Sequence, residues 1–313
     1  MNSFQTALNV VLPICVMLFA GLLLRKANIL TGDLVSGLNK LIFRLFLPVN
    51  LFRSCYQCDF TTDIDLRLIL FCCIGILLFF LLSIPVIRRI EPDNTRRSVM
   101  LQGAFRGNLA MFGIPVLTLV YQGNHLGIVG TLMAFMIPEL NILAVLAFEV
   151  FGIGKGNWGK VFWKILTNPL IIAVCLGLLC NLLRIPLPAF LDTSIQTMAS
   201  AMSPLAFVAL GASFSFVSMR GHMRQLSAIL VGKLILLPLM TILLGIFVIG
   251  LRGPSLVSAV TLFASPVAVS SVPMSEEMGG DVALAAEAVV LSTLLGVLSV
   301  FVWIFVLAFL NMI

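Results

Sequence analysis

The stretch GNLAMFGIPVLTLVYQ, residues 107–122, lies in a segment apolar enough to cross a membrane, yet Asn108, Gly113 and Pro115 fall near its middle. Proline has no N–H to give and clashes with the turn before it. A lipid-facing helix broken there would leave backbone groups without partners in hydrocarbon. The interruption therefore has to be buried in protein or to line a polar cavity.

The rest of the chain agrees with a membrane setting. Of its 313 residues 60% are hydrophobic and 10% charged, and the mean hydropathy is +1.15. A soluble domain of this length cannot hide so much apolar surface. Runs of about 20 apolar residues recur, each long enough to span roughly 30 Å of hydrocarbon as a helix. The alternation of a membrane β-barrel is missing. The pattern predicts an all-α polytopic membrane protein with ten spans, near 5–24, 34–56, 66–87, 97–121, 126–150, 163–182, 189–218, 223–249, 255–279 and 283–310.

Although the net charge is +6, the basic residues form no single patch, which speaks against nucleic acid. Loops after odd-numbered spans hold Arg25 and Lys26, then Arg88, Arg89, Arg96 and Arg97, then Lys155, Lys160 and Lys164, then Arg220 and Arg224. Loops after even-numbered spans hold only Arg53, Arg67, Arg184 and Arg252. The positive-inside rule makes the first set cytoplasmic and puts both termini outside. The last cytoplasmic loop, around Asp281, has no Lys or Arg. MNSFQTALNV has no basic n-region and reads as the start of span 1 rather than a signal peptide. Cys55 and Cys58 form a C-x-x-C at the outer end of span 2, open to a disulfide or a metal.

Prolines reveal an internal repeat. Pro13 matches Pro169, Pro48 matches Pro204, Pro85 matches Pro238 and Pro115 matches Pro266, at offsets of 156, 156, 153 and 151 residues. Five spans per half is odd, so the second half enters from the opposite side as an inverted repeat, an architecture of secondary transporters. The broken span 4 then has a counterpart in span 9, PVAVSSVP (266–273). If Pro115 opens a second half-helix, that half-helix offers free N–H groups and a partial positive end at mid-membrane. Its inverted copy supplies another, and the pair suits an anion such as a carboxylate. Candidate substrate-binding residues are Asn108, Gly113, Ile114, Pro115, Pro266, Val267, Ser270 and Ser271, with Asn50 lining the cavity opposite.

Several segments match a known family. N-L-A-M-F-G-I-P (108–115) looks like its N-x-x-x-x-G-x-P element. LIFRLFLPVNLF (41–52), TNPLIIAVCLGLL (167–179), SPLAFVALGASF (203–214), KLILLPLM (233–240) and PVAVSSVPMSEEMGGDVALAAEAVVLSTL (266–294) resemble its other elements in order. This is the auxin efflux carrier family in its short bacterial form. The resemblance implies a ten-helix 5+5 inverted repeat akin to plant PIN carriers and bile-acid sodium symporters, with spans 4 and 9 crossing at the centre. It implies repeats over 1–153 and 163–313 joined by a connector at 154–162. Spans 1, 2, 6 and 7 would form a scaffold, and spans 3–5 and 8–10 a transport domain. It implies organic-anion substrates: auxin, malate, malonate or similar carboxylates. Ser270 stands where the family often has Asn.

Ionisable groups at membrane depth are functional candidates by default. Glu139, after Pro138, is either a proton carrier or cation ligand, or a carboxylate with a structural partner. Lys233 either neutralises a substrate carboxylate or pairs with Glu139, or else snorkels to an interface; Arg106 either guides anions or snorkels. Glu276, Glu277 and Glu287 crowd the inner end of spans 9 and 10, where pairing with Arg or Lys of neighbouring loops is expected. GKGNWGKV (154–161) nearly spells a P-loop, but Val161 replaces the Mg²⁺-holding Ser/Thr and no strand precedes it. No metal cluster or catalytic triad is visible, so an enzyme is not expected. The expectation is a cell-membrane secondary transporter of small organic anions, elevator-like, without a cofactor. H⁺ coupling and Na⁺ coupling, the latter near Ser270 and Ser271, both stay open. Its partners are the substrate and membrane lipids, and a homodimer is compatible. An anion channel or a ligand-sensing receptor of the same fold is the alternative.

Overall fold

The computed structural model describes residues 3–57, 65–108, 126–152, 166–214 and 219–310, and positions 116, 120, 121, 163 and 312. Among them, every regular element is helical: α1 (Ser3–Lys26), α2 (Gly32–Tyr56), α3 (Leu66–Ile90), α4 (Asn94–Phe105), α5 (Leu126–Gly152), α6 (Pro169–Leu182), α7 (Ala189–Ser213), α8 (Arg220–Ile249), α9 (Gly253–Ala264), α10 (Ser271–Met278) and α11 (Val282–Phe309). Six helices, namely α2, α3, α5, α7, α8 and α11, are long and apolar enough to cross a membrane. Their outer faces carry exposed Leu and Phe, such as Phe247, Phe301 and Phe309. A water-soluble surface would not tolerate these contiguous faces, and hydrocarbon does.

Proline is accommodated, not avoided. Ile42–Phe46 and Gly232–Leu236 are π-helical turns, each two residues before a proline, Pro48 and Pro238. Pro238 cannot donate to the carbonyl of Leu234, and that oxygen instead accepts Ser299 Oγ at 2.8 Å and Trp303 Nε1 at 2.9 Å from α11. The freed backbone group is thus satisfied by a neighbouring helix, as hydrocarbon requires. Helix starts are capped by side chains: Asp65 accepts from Leu68 N, Asn168 from Leu170 N and Asp281 from Leu284 N. At the start of α4, the Thr95 N–H and then its hydroxyl donate to Asp93, holding that carboxyl below the usual range.

Two groups of helices emerge. In the first, α1 packs along α7, and α2 along α6 and α7. The α1–α7 seam is built on reciprocal glycines: a Cβ on Gly21 would lie 2.1 Å from the Val208 carbonyl oxygen, and one on Gly211 would lie 2.1 Å from that of Leu18. Small residues permit such backbone approach where no hydrophobic force drives helices together. The second group is α3, α4, α5, α8, α9, α10 and α11. The groups meet notably where α2 faces α10.

Candidate functional site at two interrupted helices

Within the second group two helices stop at the same place. The first, α4, ends at Phe105, and Arg106 turns to extended backbone with φ −76° and ψ 108°. Helix α9 ends at Ala264, and Ser265 turns likewise with φ −59° and ψ 143°. The extended pieces pair as an isolated antiparallel bridge between Gly107 and Val267. Asn108 N donates to Pro266 O at 2.9 Å, and Ala268 N donates to Arg106 O at 3.3 Å. Val267 N donates to Ser292 Oγ of α11 at 3.0 Å. Each break thus satisfies the other's backbone, as buried polar groups demand.

This placement corrects where the first half of span 4 ends, while the expected break at Gly113–Pro115 falls outside the described residues. The helix yields at Arg106–Asn108, before Gly113, because the partner strand piece reaches it there. Gly113, Ile114 and Pro115 lie outside the described residues. Gly107 is required: a Cβ on it would lie 2.1 Å from Ser265 Oγ and 2.8 Å from Lys233 Nζ.

A second correction concerns the half-helix end at α10. Ser271 N donates to Ala268 O, Val272 N to Val269 O and Met274 N to Ser270 O, while Pro273 has no N–H. The donors expected to hold an anion are engaged in local turns. Ser270 and Ser271 are buried, and Ser271 Oγ has no partner among the described residues.

Positive charge at the breaks comes from side chains instead. Lys233, in the π-turn of α8, is 0% exposed, and its Nζ donates to Phe105 O at 3.0 Å. Arg106 is 3% exposed; its Nη2 donates to Asn141 Oδ1 at 2.7 Å, and its Nη1 lies 2.7 Å from Met274 Sδ. Neither snorkels to an interface. Among the described residues neither has a carboxylate within ion-pair distance, so the Lys233–Glu139 pairing allowed by the sequence is absent. Among those residues both ammonium and guanidinium are held by neutral groups. Taking an ion out of water without a counter-ion costs several kcal/mol even after relaxation.

Other predicted residues fall elsewhere. Asn50 donates to Ala199 O at 3.2 Å and ties α2 to α7. Glu139 faces α3, where its carboxyl hydrogen-bonds with Cys73. Cys55 is buried, and Cys58 lies outside the described residues. The acidic residues of spans 9 and 10 are partnered: Glu277 with Arg44 at 3.0 Å, Glu276 with Ser36 Oγ at 2.6 Å and Glu287 with His222 Nδ1 at 2.8 Å. Asp281 adds Arg96 at 3.2 Å and His222 Nε2 at 3.6 Å. The loop without its own Lys or Arg is therefore served by α4 and α8. Sequence reading missed Asn141, Gln102 and Ser265. Gln102 is buried one turn before Arg106 and reaches Met274 Sδ at 3.5 Å. A polar residue in an otherwise apolar run, as in MIPELN (136–141), was the available signal.

These features define a multi-pass helical membrane protein with a buried, cation-bearing pair of helix breaks. The chain belongs to the membrane transport protein family, the auxin efflux carrier family of the resemblance above; the family model matches residues 6–157 and 158–304. An uncharacterized transporter of Methanothermobacter thermautotrophicus is 24% identical over 306 residues, covering 96% of this chain and 98% of its own. The mouse lysosomal cholesterol signaling protein is 23% identical over 244 residues, 70% of this chain but 27% of that longer protein.

Proposed function

We propose that the chain is a secondary transporter of small organic anions, carboxylates such as malate, malonate or auxin-like acids. The observation that carries this reading is the pair of buried cations, Arg106 and Lys233, held by neutral acceptors beside two helix breaks. A carboxylate arriving there gains charge-assisted hydrogen bonds in a low dielectric. Asn108, at the break itself, supplies a neutral hydrogen bond, with Ser271 Oγ as a further donor.

Alternating access follows from the architecture. The meeting of the breaks supports a crossover of spans 4 and 9, and two successive family matches, meeting at 157/158, support a 5+5 inverted repeat. The group α1, α2, α6 and α7 is the scaffold. The second group carries the site past it in an elevator-like movement. Ties such as Arg96–Asp281 and Arg44–Glu277 gather the Arg-rich helix ends on one side, while Arg53–Asp192 and Ser255–Asp65 lie at the opposite end. We assign the Arg-rich end to the cytoplasm and both termini to the outside of the cell membrane.

Counterflow in proteoliposomes tests this reading. Labelled malonate should enter vesicles preloaded with unlabelled malonate, saturate with concentration, and be lost in Asn108→Ala. Conductance that does not saturate would make the protein a channel and overturn the carrier.

A further inference from the structure

Glu139 stands at the middle of α5, directly after Pro138. Positions two apart on a helix point about 200° apart. Asn141 therefore faces Arg106 and the breaks, and Glu139 faces α3. There the carboxyl shares a hydrogen bond with the Cys73 thiol, whose Sγ lies 3.7 Å from Met136 Sδ, one turn earlier on α5. Glu139 Oε2 is buried without a hydrogen-bond partner among the described residues. Among the described residues no Lys, Arg or His pairs with this carboxyl.

The charged and titratable groups on the packed helices are accounted for. From α3, Cys73 meets the carboxyl, Cys72 is buried beside it, Arg88 stacks over the Phe151 ring of α5 at 5.7 Å, and Arg67 and Arg89 stand in the helix's first and last turns. From α4 and its end, Arg96 goes to Asp281, Arg97 to Asn94 and the Glu91 carbonyl, and Arg106 to Asn141. On α2, Arg53 goes to Asp192, Arg44 to Glu277 and Tyr56 to the Ile185 carbonyl, Asp33 and Lys40 are exposed and Cys55 is buried; α6 offers only Cys175 and Cys180, and α9 nothing titratable. An ionised carboxylate left in this way is far more costly than its neutral acid. A thiol, a thioether and one carboxyl also make a poor set for Na⁺, since hard cations take several oxygen ligands.

We propose that Glu139, with the Cys73 thiol as its partner, is a proton-binding site of the carrier and takes up one H⁺ per transport cycle. The site is separate from the anion site, on the opposite face of the same helix. One H⁺ moving with one monoanion is electroneutral, so uptake can proceed against the membrane potential. This inference rests on the transport reading above.

Dicyclohexylcarbodiimide, an apolar reagent, tests it on the wild-type protein. The protonated carboxyl passes its H⁺ to a carbodiimide nitrogen while its oxygen bonds the central carbon. The O-acylisourea formed rearranges to a stable N-acylurea. Mass spectrometry should find Glu139 modified at acid pH and unmodified at alkaline pH, with no label at this position in Glu139→Gln. Reconstituted Glu139→Gln should retain carboxylate counterflow and lose accumulation driven by a pH gradient. Absence of label at acid pH, or pH-driven accumulation equal to wild type in Glu139→Gln, overturns the proposal. Absence of counterflow in the wild-type protein refutes the carrier reading instead, and labelling, which needs no transport, tells the two failures apart.

Discussion

Two polar regions of this molecule handle buried charge in opposite ways. At the Arg-rich end, Glu287 is fully buried against His222, Asp281 joins Arg96, and Glu277 joins Arg44. Each of these acids has a partner, and the network ties α2, α4, α8, α10 and α11 together. At the paired breaks, Arg106 and Lys233 are equally buried and, among the described residues, meet Asn141, Met274 and a backbone carbonyl. Charge in the first region is spent on holding helices in place. In the second it is left unneutralised, a destabilising arrangement that makes sense when an anion completes it.

The contrast can be broken from either side. The largest expected effect on stability is at the Arg-rich end: His222→Ala removes the imidazole that buried Glu287 meets at 2.8 Å, and breaking a buried pair this way costs about 3–5 kcal/mol. Thermal unfolding of the purified protein should show a large drop, with anion affinity unchanged in whatever remains folded. At the breaks the opposite division is expected. Replacing an unpaired buried ion with an apolar chain of similar volume is often neutral or stabilising. Lys233→Met should therefore melt no lower than wild type yet bind malonate about 100-fold more weakly, since a charged hydrogen bond is worth roughly 1.5–3 kcal/mol. Smallest of all is Arg44→Ala. Arg44's side chain is 64% exposed, so the loss should stay under about 1 kcal/mol and shrink with added salt.

Much of this was legible in the chain alone. Apolar runs set the spans, because hydrocarbon allows little other than helices. The prolines Pro115 and Pro266 marked the two interrupted segments, and the basic loops marked one end. What stayed hidden depends on contacts between distant residues. Where span 4 yields is decided by the bridge from Gly107 to Val267, 160 residues away, and no local signal at Arg106 announces it. The free donors expected at the span 9 half-helix vanish because Ala268, Val269 and Ser270 turn back to accept them. Lys233 read as a residue that neutralises a substrate carboxylate, pairs with Glu139 or snorkels. Its actual partner, Phe105 O, exists only because α4 stops there.

The central claim is that Arg106 and Lys233 await an anion. Its most direct test is the thermal stability of the purified wild-type protein with malonate, beside the Arg106→Gln/Lys233→Met double variant and a neutral diamide of the same shape. The account predicts that malonate raises the melting temperature of the wild type, that the diamide does not, and that the double variant responds to neither. A wild-type protein stabilised by no carboxylate, or equally by the diamide, would contradict it.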